Sequence, residues 1–118
     1  MRLYTDEFLC PLPAGRTARA GWELSGQDRP GLYHLGGAER LSRREIGQAL
    51  TSWYPELMGH ILPGSVESYV GAPRPPDLSM NCAKLQGLLS FPLSGFRAWL
   101  AGRTSAGMDL WDYPEGSL

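Results

Sequence analysis

Arg74 is the side chain in this sequence best presented for chemistry. It stands in Ala72-Pro73-Arg74-Pro75-Pro76-Asp77, with prolines on both sides. Each proline fixes its own φ and restricts the residue before it, so the guanidinium projects from a stiffened loop. A guanidinium is a planar fork of donors that matches phosphate oxygens, so an arginine held this way suits a phosphate group. The competing reading is a surface salt bridge, with Asp77 as the partner.

The other candidates carry weaker chemistry. His34 lies inside the apolar run Leu32-Tyr33-His34-Leu35, where it is a base or a ligand, or else a core histidine with hydrogen-bonded ring nitrogens. No partner residue is spaced beside it, which favours the core reading. His60 lies among prolines and glycines and is expected at the surface. Cys10 and Cys82 are far apart and form no CxxC spacing, so zinc and redox chemistry lack their pattern and two buried reduced thiols are expected. Arg43 and Arg44 sit where a helix dipole prefers acids, and read as a solvated face. Trp22, Trp53, Trp99 and Trp111 read as core anchors rather than a sugar-stacking platform.

Several chemistries are absent by motif. The sequence contains no GxGxxG or GxxGxxG loop, no GxxxxGK[ST], no GxSxG and no HExxH. None of Tyr4, Tyr33, Tyr54, Tyr69 and Tyr113 has a lysine four positions on. A Tyr-x-x-x-Lys acid/base pair is therefore missing.

The elements that must position these side chains are short. Residues 1–12 suit an extended segment that Pro11 and Pro13 interrupt. A helix is expected over Arg16–Leu24, with Ala18, Gly21, Trp22 and Leu24 on one face. Leu32–Leu35, between glycines, reads as a buried strand. The best-marked element is a helix opened by Ser42 and Glu45 as a capping box, with Ile46, Ala49, Leu50 and Trp53 on one face and Pro55 at its end. Residues 54–79 are rich in proline and glycine and read as a long irregular segment, with a brief extended stretch at His60-Ile61-Leu62. Asn81 can cap a helix with Leu85, Leu88 and Leu89 inward. Ser94 can cap another, with Phe96, Trp99 and Leu100 inward and Gly102 as the stop. Four short helices and at most three short strands leave the strand at 32–35 without evident neighbours, so part of a sheet is expected to be missing.

Composition bounds the function classes. The chain has 118 residues, enough for one small domain. It is 42% hydrophobic and 19% charged, as folded chains are. Fifteen glycines and ten prolines make about a fifth of the chain, so turns are frequent. A net charge of −1 argues against a nucleic-acid module. No apolar run approaches the ~20 residues of a membrane helix. No signal-peptide pattern opens the chain, and a soluble cytoplasmic protein is expected.

Three segments in the same order resemble the C-terminal half of extended short-chain dehydrogenases, within them the dTDP-4-dehydrorhamnose reductase and sugar-nucleotide-binding group. They are Thr5-Asp6-Glu7-Phe8 to Pro11 with Ala18-Arg19-Ala20 and Trp22-Glu23-Leu24; Gly31-Leu32-Tyr33-His34-Leu35-Gly36-Gly37 with Glu39 to Gly47; and Arg74-Pro75-Pro76-Asp77 with Lys84-Leu85. Together they span about residues 4–101. The resemblance implies an α/β substrate-binding part with short strands and about four short helices, and with the N-terminal Rossmann half missing. In the family that missing half binds NADP or NAD and carries the catalytic Tyr and Lys. Residues 1–101 are then the substrate-binding part and 102–118 an irregular tail. Met1 falls where a member's chain runs on, so an internal start is expected. Leu9 stands where members usually have an Arg that helps hold the substrate diphosphate. Gly15 and Arg16 stand where members usually have acids.

Two functions follow as expectations. One is a nucleotide-sugar-binding part of an NAD(P)-dependent reductase, not catalytic alone, with Arg74 on the substrate and no cofactor or metal bound by this chain. The other is a regulatory or protein-interaction module that keeps the fold without the chemistry. In either case exposed apolar surface is expected to meet a Rossmann half or a second copy, with neither nucleic acid nor membrane as partner.

Overall fold

The structure, a computed structural model, describes residues 1–103, so the rest of the expected tail, including Trp111 and Tyr113, lies outside the described residues. The elements in chain order are β1 (Arg2–Tyr4), β2 (Phe8–Leu9), α1 (Ala14–Ser25), β3 (Leu41–Ser42), α2 (Arg43–Leu50), β4 (Leu62–Gly64), α3 (Ala83–Gln86) and α4 (Phe96–Ala101). Two 3₁₀ turns, Pro55–His60 and Val66–Ser68, flank β4. The expected mixture of short strands and four helices is present. The irregular segment 54–79 carries a strand, displaced slightly past the expected His60–Leu62.

The strands form two separate ladders. β1 and β4 run parallel, with Arg2 opposite Leu62 and Tyr4 opposite Gly64. β2 and β3 run antiparallel, with Phe8 opposite Ser42 and Leu9 opposite Leu41. α2 starts directly from β3. The Ser42 hydroxyl accepts the Glu45 N–H at 3.1 Å, and the Glu45 carboxylate accepts the Ser42 N–H at 2.7 Å. This is the capping box the sequence predicts, a device worth about 1 kcal/mol. The helix ends at Leu50, ahead of Trp53 and Pro55.

The expected buried strand at Leu32–Leu35 does not form. Its neighbour is the segment at Cys10–Pro13, where Pro11 and Pro13 have no N–H to donate. Among the described residues the bond to this segment comes after the run, from the Gly37 N–H to the Cys10 carbonyl at 3.1 Å. A side chain satisfies another group: Lys84 Nζ donates to the Leu32 carbonyl at 2.9 Å while lying over the Tyr33 ring. Leu32 is 78% exposed and His34 is exposed, which overturns the core-histidine reading. His60 is exposed, as expected.

The α1 face also differs from expectation. Ala20 is its buried residue, and Trp22 is 82% exposed. The helix packs through polar side chains instead. The Arg19 guanidinium lies 4.3 Å from the Phe91 ring centroid, and Arg16 lies 5.6 Å from it. Guanidiniums stacked on an aromatic face do the packing that the apolar spacing assigned to Trp22. Glu23 accepts both the Ser90 N–H and the Ser90 hydroxyl, at 2.8 and 2.7 Å. The core beneath holds Ala20, Phe91 and Leu93, with Leu12, Leu35, Cys82 and Leu89 against it.

Side-chain oxygens also fix the chain elsewhere. Asn81 Oδ1 accepts the Ala83 N–H at 3.0 Å and so helps start α3, as expected. Ser94 does not cap α4. Glu39 does, accepting the Arg97 N–H at 3.0 Å and the Arg97 guanidinium at 3.2 Å. Asp6 accepts the Ser65 hydroxyl at 2.5 Å and the Val66 N–H at 2.7 Å, which joins the end of β1 to the turn after β4.

Two predictions follow. A Cβ at Gly37 would overlap the Pro11 carbonyl oxygen, a backbone atom that cannot swing away. Gly37→Ala is expected to destabilise the fold by about 1–3 kcal/mol, the scale of overpacking, read from urea denaturation. An unchanged midpoint would show that the 10–12 and 36–38 segments do not meet as described. The second concerns acid. The Ser65 hydroxyl and then the Val66 N–H hold the Asp6 carboxyl below the usual aspartate range. The Ser90 N–H and then its hydroxyl do the same for Glu23. A carboxyl with a lowered folded-state pKa stabilises the fold above its unfolded value, and that contribution is lost as pH falls toward the folded value. The urea midpoint should therefore drop as pH falls through and below the ordinary carboxylate range. The drop should be shallower in Asp6→Asn and Glu23→Gln, and equal slopes in the variants would sink the assignment.

Candidate functional site

Arg74 is brought to the centre of a charged cluster by the segment that follows it. Residues 76–78 run alongside Phe8: the Phe8 N–H donates to the Pro76 carbonyl at 2.8 Å, and the Leu78 N–H donates to the Phe8 carbonyl at 2.8 Å. Asp77 thus pairs with Phe8 in a parallel bridge, and Arg74 falls beside Glu7. Its Nη2 donates to Glu7 Oε1 at 2.7 Å. The ion pair considered in sequence is real, but its acid is Glu7 and not Asp77. Asp77 is taken by Arg40 at 2.9 Å. Arg40, with Ser79 assisting, holds the Asp77 carboxyl well below the usual range. The Arg40 guanidinium also stacks 3.7 Å from the Phe8 ring centroid.

Glu7 is 1% exposed and carries the cluster. The same Oε1 accepts Arg43 Nε at 3.2 Å, and the Glu7 carbonyl accepts the Arg43 N–H at 3.1 Å. Arg43 is therefore not simply a solvated residue. Its place in the first turn of α2 opposes the helix dipole, and the buried carboxylate offsets that. Glu7 Oε2 is buried with no hydrogen-bond partner among the described residues. Two guanidiniums against one carboxylate leave the cluster with a net positive charge.

Two aromatic rings complete the site. The Arg74 guanidinium carbon lies 5.8 Å from the Tyr4 centroid and 5.0 Å from the Tyr69 centroid, within cation–π range of both. Tyr4 comes from β1, and Tyr69 follows the 3₁₀ turn at Val66–Ser68. Arg74 stays 35% exposed at its side chain, so part of its fork faces outward. Of its five donors, Glu7 takes one. The arrangement can hold an anion at the outer edge of Arg74, next to faces on which a flat ring can stack.

The sequence singles out Arg74 but names none of Glu7, Arg43, Tyr4 and Tyr69, which the structure gathers around it. One signal for Arg43 was available: a basic first turn needs an acid from elsewhere. Leu9, the departure from the expected diphosphate-binding Arg, is half-buried in β2 opposite Leu41. Among the described residues no group of three His, Cys, Asp or Glu side chains is placed to hold a metal ion, and no helix is long and apolar enough to cross a membrane.

Removing Glu7 loses two charge-assisted hydrogen bonds, together about 3 kcal/mol, while its part-exposed arginine partners can turn to solvent. Glu7→Ala is expected to cost this much in chemical denaturation, a large share of a small domain's stability. Double-mutant cycles with Arg43→Ala and Arg74→Ala should show coupling to both arginines. A loss under about 1 kcal/mol would place Glu7 with ordinary surface pairs.

No protein-family model matches the chain, and no curated protein matches it. Among solved structures it is similar to the dTDP-4-dehydrorhamnose reductase of Bacillus anthracis strain Ames, determined in complex with NADP, with a TM-score of 0.72 and 18% identity. The match covers 86% of this chain and 36% of that one, so the chain spans about a third of the reductase's length. At this identity the likeness establishes the architecture: the chain has the α/β fold of a portion of a dTDP-4-dehydrorhamnose reductase.

Proposed function

We propose that this chain forms the sugar-nucleotide-binding part of a reductase-like protein and does not catalyse hydride transfer alone. The observation that carries the reading is Arg74 bonded to Glu7, within reach of the Tyr4 and Tyr69 rings, with its side chain still 35% exposed. A proline-stiffened, half-exposed guanidinium suits a diphosphate. The tyrosine faces suit a base or a sugar ring. The family resemblance and the shared fold support the same ligand class. The sequence has no dinucleotide loop and no Tyr-x-x-x-Lys pair, so NADP or NAD and the acid/base pair belong to a Rossmann half outside this chain.

The second reading, an interaction module without chemistry, draws on a different observation. Val70 is 94% exposed, and Trp22 and Leu32 are nearly as open. Large exposed apolar side chains fit a surface that meets a Rossmann half or a second copy. The two readings are compatible, since a substrate part must also dock.

Calorimetric titration with a dTDP-hexose tests the first reading. Saturable binding is expected, and Arg74→Ala should weaken it by about 1–3 kcal/mol, the scale of a charge-assisted hydrogen bond. Arg74→Lys keeps the charge but loses the planar fork, and should recover only part of the loss. A melt of each variant separates lost binding from lost fold. Equal affinity of the folded Arg74→Ala chain would confine Arg74 to its ion pair.

A further inference from the structure

Met80 and Cys82 are near neighbours in sequence, and the fold brings Cys10, 70 residues from Met80, up to them. Cys10 follows β2, and Met80 and Cys82 precede α3. Both thiols approach the same atom, the Met80 carbonyl oxygen, Cys10 Sγ at 4.0 Å and Cys82 Sγ at 3.9 Å. Buried Gly36 sits among them. A Cβ there would lie 3.2 Å from Met80 Cε and 3.3 Å from Cys10 Cβ, and the Gly36 N–H donates to Cys82. Met80 and Cys10 thus crowd a glycine with no side chain of its own, and Cys82 meets Cys10 at the Met80 carbonyl. Both cysteines are free and half-buried. Gly36, Met80 and Cys82 line a cleft of about 380 Å³, which gives access from solvent. The Arg74 site uses none of these residues.

We propose that Cys10, Cys82 and Met80 form a site for one soft monovalent cation, copper(I) or silver(I). The donor set selects the metal. Thiolate and thioether sulfurs are soft ligands that favour copper(I). Zinc takes four ligands of nitrogen, sulfur or oxygen, and here no third His, Cys, Asp or Glu joins the pair among the described residues. Calcium and magnesium require oxygen donors, which three sulfurs do not supply. On binding, each thiol becomes a thiolate and gives its proton to water, while the thioether and the cation keep their charge and oxidation state. The site then carries two negative sulfurs and one positive ion. Neither cysteine motif nor spacing announces this site, because its ligands meet only through the Gly37–Cys10 rung and the start of α3.

The test is an anaerobic titration of the reduced full-length chain with copper(I) against a chromophoric chelator, repeated with silver(I) and with zinc. One copper(I) or silver(I) per chain is expected, with zinc left on the chelator. Cys10→Ser and Cys82→Ser should each lower affinity about a hundredfold or more, beyond the 10–100-fold range of second-layer ligands, and Met80→Leu about tenfold. Copper X-ray absorption on the unsubstituted chain should show sulfur neighbours only, a readout that does not depend on any variant folding. Two ions per chain, undiminished affinity in either Ser variant, oxygen or nitrogen neighbours, or loss of two hydrogens to a disulfide with no ion retained would each overturn the proposal.

Discussion

The buried carboxylate of Glu7 is the contact on which the arrangement of segments depends. Through its carbonyl and one carboxylate oxygen it holds the start of α2, and through that same oxygen it holds the Arg74 loop. It thereby cross-links parts of the chain 36 and 67 residues away. Taking a carboxylate out of water costs several kcal/mol, and an ion pair repays that only when geometry and hydrogen bonds are good. Here two guanidiniums and no competing acid meet one oxygen. The second oxygen has no hydrogen-bond partner among the described residues. An unpaired buried acceptor costs about 1–3 kcal/mol and persists where something else requires the group.

The same device recurs across the fold because its apolar core is small. Among the described residues the buried hydrophobics number six, and the ladders are two or three residues long. Asp6, Glu23 and Glu39 each reach a remote backbone N–H and hold a second donor on the same segment. Gln86 holds the segment after α3 with both ends of its amide, Nε2 donating to the Phe91 carbonyl and Oε1 accepting the Leu93 N–H. Side-chain acceptors thus take over work that longer strands would do, and they act on turns that proline and glycine keep from pairing.

This division explains what could be read from sequence. The capping box at Ser42 and Glu45 is local, complete within four residues, and it is present as read. Asn81 and the inward Leu85 are equally local. Ser94 failed as a cap because Glu39, distant in sequence, won the N–H groups of α4. The Leu32–Leu35 strand failed because its edge partner contains two prolines, a fact about a neighbour and not about the run itself. Trp22 failed because arginines over Phe91 can pack as well as apolar side chains. Arg74 was legible through its prolines, but which acid it meets depends on the Phe8 and Asp77 pairing, which no spacing rule gives.

The structural role of Arg74 and the binding role proposed for it are not rivals. Glu7 approaches the guanidinium from the buried side and uses one of its donors. The part-exposed side chain keeps the rest, and the two tyrosine rings lie within cation–π range without consuming any of them. A carboxylate that merely neutralised Arg74 would abolish its attraction for an anion. With Arg43 bound to the same oxygen, the net charge stays positive, so the pair orients the fork without cancelling it. Orientation of this kind lowers the entropy lost when a ligand binds. Removing Glu7 would therefore free a more positive but disordered guanidinium, exchanging directed binding for unspecific attraction.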